Sequence, residues 1–354
     1  MTQHNDVTVV IACHDPNRPI RRAVASALRS SGVNVLVIAH NTDSEGIRTA
    51  LGPLASRVRV EPFTDGIPSP AGPFNHGLAI SNTRFVSIMG SDDVLETGAV
   101  DCWRVLAKRW DADMVLTRLH RGKARRPIHA PAVRPWLYGV ADFAKDRLYY
   151  RSAPLGLMRR ERLEELGLRM TPDFPVGEDI AFSMRLYSSS TVVVQRRGPG
   201  YLVGEDTKTR VTTTSRPVDV ELRHITDLLS RPWVTDWSAE MRAGVAIKTL
   251  RIHIFGLPLN RETDFWTPRE RESLAEITQS LLDFSPGCER AFSRADTALL
   301  QAILNTQTPN EQLLQLAHAR SRFFSPAALV PAYAQGWWHR EGPLRFDVAS
   351  FLVR

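Results

Sequence analysis

The first 120 residues alternate between short apolar, β-branched runs and segments with helical spacing. The runs that predict strands are Val7–Ala12, Val33–Ala39, Arg57–Glu61, Phe85–Met89 and Asp113–Thr117. The segments that predict helices are Pro19–Leu28, Ser44–Leu51, Asn75–Ile80 and Glu96–Trp110. Alternation of this kind is typical of a mostly parallel sheet flanked by helices. We therefore predict an α/β, Rossmann-like domain.

Beyond residue 118 the pattern becomes less regular. The basic, proline-containing stretch His120–Pro135 is expected to be a solvated loop, with contact to an anionic acceptor or a membrane as the alternative. Ala153–Met158 predicts a strand and Arg160–Leu166 a helix. In Pro175–Tyr187 the apolar spacing predicts a helix whose first turn carries two acidic residues.

From about residue 216 the chain shows repeated 3.6-residue spacing. The predicted helices are Val218–Leu229, Ser238–Phe255, Pro268–Phe284, Ala291–Leu304 and Glu311–Ala319. We therefore expect one domain over residues 1–215 and a helical C-terminal domain over residues 216–354. The aromatic tail from Phe323 to Arg354 predicts a packed C-terminal segment or a homo-oligomer interface, with a peripheral membrane contact as the alternative.

Charge and cysteine content narrow the class of protein. The 354 residues carry a formal net charge of +7, which favours an anionic partner such as a nucleotide diphosphate, a lipid headgroup or an anionic glycan. No nucleic-acid-binding module is recognisable, so we expect no nucleic-acid partner. Cys13, Cys102 and Cys288 form no metal-binding spacing and are odd in number, which favours a reduced, cytoplasmic protein.

The N-terminal sequence and the hydropathy agree with that location. The first six residues are polar, and no run approaches the roughly 18 apolar residues of a membrane span. We expect a cytoplasmic protein, with peripheral attachment to the inner face of the membrane left open.

Two neighbouring carboxylates follow the predicted strand Phe85–Met89. Ser91, Asp92 and Asp93 come at the end of this buried run, where paired carboxylates are unfavourable unless a positive charge lies between them. A divalent cation that holds a diphosphate satisfies this condition and suggests a nucleotide-sugar enzyme. Ser-Asp-Asp before a helix is also an ordinary N-cap, which remains the alternative.

Other polar residues lie where parallel strands are expected to end. Cys13 and His14 follow the first strand, and His40 and Asn41 follow the second. Ligands in open α/β sheets bind beyond the carboxyl ends of the strands, so these residues are candidates for a ligand site. Glu178 and Asp179 form a second acidic pair, which the helix dipole alone could explain.

The order of these motifs resembles the family 2 glycosyltransferases of the nucleotide-diphospho-sugar transferase (GT-A) fold. The resemblance covers about residues 7–215. It is carried by the opening strand and turn Val7–Arg18, the Asn-x-Gly-Leu step Asn75–Leu78, Ser91–Asp93, the segment Ala153–Glu161, and Gly177–Asp179 with Arg185 and Leu186.

The resemblance implies inverting transfer of one sugar from a nucleotide-diphosphate sugar to a hydroxyl acceptor, which could be a glycan, a lipid-linked molecule, a peptide or a small molecule. It implies Mn²⁺ or Mg²⁺ bound by Asp92, with Asp93 as second ligand or structural cap. Asp179 is the implied general base and Glu178 its supporting neighbour. The Gln-x-x-Arg-Trp motif of processive polymerases is absent from the sequence, which favours transfer of a single sugar.

The same resemblance assigns the donor nucleotide to the strand ends. Cys13 and His14 are expected at the nucleobase, and His40, Asn41, Asn75 and Ser91 at the rest of the donor. Residues that could close over the diphosphate are Asp206, Lys208 and Arg210.

Three positions depart from the family pattern. The family's Asp-Asp-Gly-Ser turn is Ala39–Thr42 here, so the usual base-reading aspartate is missing. Phe74 replaces an arginine, and Gly90 replaces the first aspartate of the metal motif. These changes leave open a catalytically weak nucleotide-sugar-binding or scaffold protein on the same fold.

Overall fold

The computed structural model describes residues 5–205, 216–322 and 324–352. The chain forms two compact units. Unit 1 comprises residues 1–129, 136–142 and 151–211, and unit 2 comprises residues 130–135, 143–150 and 212–354. The boundary predicted at residue 215 lies outside the described residues, and two short segments from the first half of the chain join unit 2.

Unit 1 contains twelve described strands and six described helices. The strands are β1 Val7–Cys13, β2 Val33–His40, β3 Arg59–Phe63, β4 Phe85–Gly90, β5 Val94–Leu95, β6 Met114–Leu116, β7 Leu119–Arg121, β8 Arg126–Ile128, β9 Val140–Ala141, β10 Gly156–Arg159, β11 Val192–Val194 and β12 Tyr201–Val203. The helices are α1 Ile20–Ala27, α2 Ser44–Leu51, α3 Ala71–Ala79, α4 Ala99–Trp110, α5 Arg160–Glu165 and α6 Ile180–Ser189.

The main sheet has eight strands in the order β3-β2-β1-β4-β10-β6-β11-β9. Strands β3, β2, β1 and β4 are parallel, as are β6 and β11. β10 runs antiparallel to β4 and β6, and β9 runs antiparallel to β11. The prediction of a mostly parallel sheet flanked by helices is confirmed. The strand order reverses direction between β1 and β4, which is where ligands bind in open sheets.

The central strands of the main sheet lie in the core of unit 1 and contain almost no polar residues. Every residue of β1 except Ala12 is buried, because helices cover the sheet. Helix α1 turns Ile20, Val24 and Ala27 toward this core, and α4 contributes the fully buried Trp103. The carboxyl ends of β1, β2 and β4 are thereby fixed next to one another.

A second, four-stranded sheet has the order β5-β12-β7-β8. β7 and β8 form an antiparallel pair, with Leu119 opposite Ile128 and Arg121 opposite Arg126. The prediction of an irregular loop over His120–Pro135 is therefore wrong in its first part. The sequence lacks the apolar pattern of a buried strand here, because several side chains of this hairpin are exposed and charged.

Several predicted boundaries also differ from the structure. Helix α3 begins at Ala71, before the predicted start at Asn75. Helix α4 begins at Ala99 and not at Glu96, because Gly98, with a left-handed φ of 84°, is its N-cap residue. Helix α6 begins at Ile180, so the two acidic residues precede the helix and do not lie in its first turn.

Unit 2 is helical in its described residues. Its α-helices are α7 Val218–Glu221, α8 Arg223–Ser230, α9 Ala239–Thr249, α10 Pro268–Phe284, α11 Arg294–Leu304, α12 Asn310–Ser321, α13 Pro326–Leu329 and α14 Pro343–Leu352. A π-helical segment, Leu250–Ile254, continues α9. The helical C-terminal region is confirmed, and its apolar core includes Leu274, Leu281 and Leu299. Within residues 5–205, 216–322 and 324–352, every helix is too short or too polar to cross a membrane.

Candidate functional site

The ends of β1 and β4 form the first part of the site. The two strands are paired in register from Val7 with Phe85 to Ala12 with Gly90, so the residues that follow lie side by side. Cys13 is fully buried, and its Sγ donates a hydrogen bond to the Asp15 carbonyl at 3.3 Å. The structure thus places Cys13 in the core and the predicted nucleobase neighbour, His14, at the surface.

The pKa of His14 depends on the charges that surround the strand ends. Partial burial lowers the pKa of His14, and the positive charge of Arg18 lowers it further. His40 also lowers this pKa, whereas Asp15 and Asp92 raise it. The ends of β1, β2 and β4 therefore share one electrostatic environment.

Arg18, from the turn after β1, binds both residues that follow β4. Its Nε donates to Ser91 Oγ at 2.6 Å, and its Nη2 lies 2.6 Å from Asp92 Oδ1. Arg22, on α1, donates from Nη2 to the Asp92 carbonyl at 2.6 Å. The crevice at the strand-order reversal thus holds two guanidinium groups and one carboxylate, a group of charges suited to a phosphorylated ligand.

Asp93 is held differently from Asp92. Its Oδ1 accepts a 2.7 Å hydrogen bond from the Gly204 amide, and its Oδ2 accepts one from the Tyr201 hydroxyl. Burial raises the pKa of Asp93, while these two hydrogen bonds act to lower it. Both carboxylate oxygens are engaged in joining the loop after β4 to β12, which agrees with the structural alternative for this residue.

Two glycines allow this close packing. A side chain at position 204 would place its Cβ 2.2 Å from the Asp92 carbonyl oxygen. A side chain at position 90 would place its Cβ 2.5 Å from Asp93 Oδ2. The Asp93 carboxylate occupies the space beside Gly90, so a side chain at position 90 would have to displace it.

The carboxylates present fit a divalent cation only in part. The part of the chain that the structure describes contains no group of three or more His, Cys, Asp or Glu side chains that could hold a metal ion. Mg²⁺ and Mn²⁺ are often bound by one or two carboxylates together with substrate phosphates and water. Asp92 fits this role, whereas Asp93 already uses both oxygens.

The second acidic pair lies directly before α6. Gly177 has a left-handed φ of 77° and turns the chain so that Glu178 and Asp179 reach the helix start. Asp179 is the N-cap residue, but its side chain makes no capping hydrogen bond. Burial and the neighbouring Asp179 charge raise the pKa of Glu178 to about 8. The raised pKa favours the protonated form of Glu178 at neutral pH.

Asn75 connects helix α3 to the segment that leads to this pair. Its Nδ2 donates to the Met170 carbonyl and its Oδ1 accepts from the Met170 amide, both at 2.8 Å. The predicted contact of Asn75 with the donor stays a prediction, since the structure shows its amide bound to the backbone.

His40 and Asn41, predicted at the end of β2, are joined there by Asp65 from the loop after β3. His40 Nε2 lies 2.9 Å from Asp65 Oδ1, and Asn41 Nδ2 lies 3.2 Å from the same oxygen. Sequence reasoning missed this aspartate, as it missed Arg18 and Tyr201. No local pattern marked this aspartate, because it is the pairing of β2 with β3 that brings the residues after both strands together.

Comparison with solved structures identifies the fold. Staphylococcus aureus TarS, residues 1–349, crystallised with UDP-GlcNAc, superposes with a TM-score of 0.74 over 90% of this chain and 93% of that chain, at 13% identity. The chain has the nucleotide-diphospho-sugar transferase (GT-A) fold. The predicted fold class is thereby confirmed. The UDP complex of the same TarS fragment superposes with a TM-score of 0.68, at 14% identity, over 90% of this chain and 93% of that chain.

Sequence comparison matches only part of the chain. No protein-family model matches the chain. The succinoglycan biosynthesis protein ExoU of Rhizobium meliloti (strain 1021) is 28% identical over 190 residues, which cover 49% of this chain and 54% of ExoU. The chain thus spans about half the length of this curated relative. The structure does not describe the residues that were predicted to close over the diphosphate, namely Asp206, Lys208 and Arg210.

Proposed function

We propose that the chain is an inverting glycosyltransferase that moves one sugar from a nucleotide-diphosphate sugar to a hydroxyl acceptor. The observation that carries the proposal is the half-buried acidic pair Glu178–Asp179 on a GT-A fold, in which burial and the Asp179 charge raise the pKa of Glu178 to about 8. Such a pair can accept a proton from an acceptor hydroxyl, which is what inverting transfer requires.

The donor is assigned to the crevice between β1 and β4. TarS was crystallised with UDP-GlcNAc and with UDP, which supports a UDP-sugar as the donor class. Arg18 and Arg22 supply positive charge beside Asp92 for the diphosphate. We also propose that Asp92 binds Mn²⁺ or Mg²⁺, which when bound stabilises the negative charge of the leaving diphosphate.

The chain's own residues perform the proton transfer. The Asp179 carboxylate accepts the proton of the acceptor hydroxyl, and the hydroxyl oxygen forms a bond to the anomeric carbon. The bond from that carbon to the diphosphate oxygen breaks, and its electron pair leaves with the nucleotide diphosphate. Because the new bond forms opposite the old one, the configuration at the anomeric carbon inverts.

Glu178 controls the charge of this base. Its raised pKa favours the protonated form of Glu178 at neutral pH, and we propose that Asp179 then carries the negative charge of the pair. A protonated carboxyl group is also a hydrogen-bond donor that can orient the acceptor oxygen. We therefore assign Glu178 as a positioning residue beside the base.

The acceptor is proposed to be a saccharide hydroxyl. The similarity to a protein of succinoglycan biosynthesis supports a carbohydrate-containing acceptor. The net charge of +7 also suits acceptors that carry acidic sugars or phosphate groups.

The test is a nucleotide-release assay with a panel of UDP-sugars, Mn²⁺ and saccharide acceptors. We expect release of UDP with one donor, and NMR of the product should show an anomeric configuration opposite to that of the donor. Retention of configuration would contradict the assignment of Asp179 as general base. UDP binding without any turnover would instead support the scaffold alternative.

A further inference from the structure

An exposed apolar segment leads into β9, the last strand in the order of the main sheet. Its residues Trp136, Tyr138 and Val140 are 77%, 70% and 47% exposed. They alternate within five consecutive residues, which span at most roughly 14 Å, so they belong to one surface. Solvent-facing positions at a sheet are usually polar, whereas this edge segment, Trp136–Val140, exposes large apolar groups. The reaction proposed above does not use it.

Helix α4 holds the edge segment in place. The Tyr138 ring packs edge-on against the Trp110 ring, with the ring centroids 5.3 Å apart. Gly139 has a left-handed φ of 99°, and a Cβ there would lie 2.8 Å from the Trp110 ring. Glycine therefore lets the backbone approach the end of α4 closely. A partner would meet a surface that is already ordered, so little conformational entropy is lost on binding.

Two arginines contact the edge segment. Arg109, on α4, lies over the Tyr138 ring at 5.2 Å from its centroid and donates a hydrogen bond to its hydroxyl. Arg196, which follows β11, donates from Nη1 to the Leu137 carbonyl at 3.3 Å. Both side chains are exposed, so the apolar groups and the guanidinium groups form one surface.

The charge around the edge segment is positive. Lys108 and Arg197, the sequence neighbours of the two arginines, are also exposed. Two carboxylates are close in sequence, namely Asp111, which is paired with Arg159 at 2.6 Å, and Asp142. The surface therefore keeps an excess of positive charge, which favours an anionic partner.

We propose that the edge segment docks on the surface of an anionic phospholipid membrane. Trp and Tyr side chains favour the headgroup level of a bilayer, because the ring is apolar and its N–H or O–H stays hydrated. Arginine and lysine are attracted to anionic headgroups, and the guanidinium fork matches phosphate oxygens. Buried apolar area and electrostatic attraction together set the strength of such interfacial binding.

The size of the surface favours a membrane over a protein partner. One aromatic side chain offers at most roughly 250 Å². Three exposed side chains therefore fall short of the roughly 800 Å² that each partner buries in a standard protein interface. The aromatic tail of unit 2 is the other candidate for membrane contact. Its Trp338 is 74% exposed and so provides a control that matches Trp136.

Vesicle sedimentation tests the proposal with the full chain. The probes are phosphatidylcholine vesicles with and without phosphatidylglycerol, at low and high salt. We expect binding only to the anionic vesicles, and weaker binding at high salt. Trp136→Ala should weaken binding at least about tenfold, as for a lost aromatic anchor. Arg109→Gln should weaken it about fivefold, as for one cation lost near the surface. Trp338→Ala should bind as wild type does.

Quenching by brominated lipid in the anionic vesicles shows which tryptophan enters the bilayer. We expect Trp136→Phe to reduce the quenching that accompanies binding and Trp338→Phe to leave it unchanged. No binding to anionic vesicles, equal binding with and without phosphatidylglycerol, or equal weakening by Trp136→Ala and Trp338→Ala would overturn the inference.

Sedimentation velocity without lipid tests a second copy of the chain as the occupant. If Trp136→Ala converts a wild-type dimer to a monomer and leaves vesicle binding unchanged, the surface is an interface between copies and the inference fails. None of these measurements depends on the proposed reaction.

Discussion

The two acidic pairs of unit 1 look alike in sequence but are built differently. Asp92 forms an ion pair with the Arg18 guanidinium, and Asp93 accepts hydrogen bonds from the Gly204 amide and the Tyr201 hydroxyl. For Glu178, burial and the neighbouring Asp179 charge raise the pKa to about 8. The first pair is suited to holding a charged ligand in place, and the second to exchanging a proton.

The largest effect is expected from removing the base. Asp179→Asn should lower turnover about 10³-fold, because a general base contributes roughly 10² to 10⁴ to the rate. The control is Asp173→Asn, an exposed carboxylate in the same loop whose left-handed φ of 66° asparagine tolerates. Initial rates of UDP release measure both. Comparable losses in the two variants would point to a disturbed loop and not to a lost base.

A smaller effect, on stability, should distinguish the structural role of Asp93 from the proposed metal-binding role of Asp92. Tyr201→Phe removes the hydroxyl that donates to the buried Asp93 carboxylate, so the free energy of unfolding should fall by about 2 kcal/mol. Tyr138→Phe, at an exposed tyrosine of the same unit, is the matched control. Urea denaturation measures the difference, and the enhancement of UDP binding that we propose for Mn²⁺ should be the same as in wild type. Loss of that enhancement would assign Asp93 to the metal.

The smallest effect concerns the proton held by the second pair. Because the folded-state pKa of Glu178 lies above its ordinary value of 4.5, the folded protein gains stability from this group below that value and loses it as pH rises toward 8. Glu178→Gln removes this loss and should stabilise the protein by about 1 kcal/mol at alkaline pH. Unfolding curves from about pH 5 to about pH 9 test this. A variant less stable than wild type at the alkaline end would contradict the assigned pKa.

The sequence predicted the fold well where one pattern dominates. β1, β2 and β4 are buried on both faces and read as continuous apolar runs, so their positions were predicted to within one residue. Helix α10 was predicted with its observed bounds, because its N-cap threonine and proline mark the start. The hairpin of β7 and β8 could not be predicted, since its stability depends on pairing with β12 and not on local composition.

The sequence predicted the residues of the candidate site that follow a local pattern and missed those that strand pairing brings there. Asp92, Glu178 and Asp179 are recognisable because each follows a strong local pattern. Arg18, Tyr201 and Asp65 are brought to the site by strand pairing across 73, 108 and 24 or more residues of sequence, which periodicity does not encode. Asn41 was expected to contact the donor, but its polar atoms are bound to the loop after β3.

The central claim is that Asp92 of the first acidic pair binds the donor and that Asp179 of the second accepts the proton. Calorimetric titration of UDP with Mn²⁺ into wild type, Asp92→Asn and Asp179→Asn tests it most directly. We expect UDP affinity to fall at least about tenfold in Asp92→Asn, as for loss of a charged ligand contact. Asp179→Asn should bind UDP as wild type does. Unchanged binding in Asp92→Asn, or equal losses in both variants, would contradict the account.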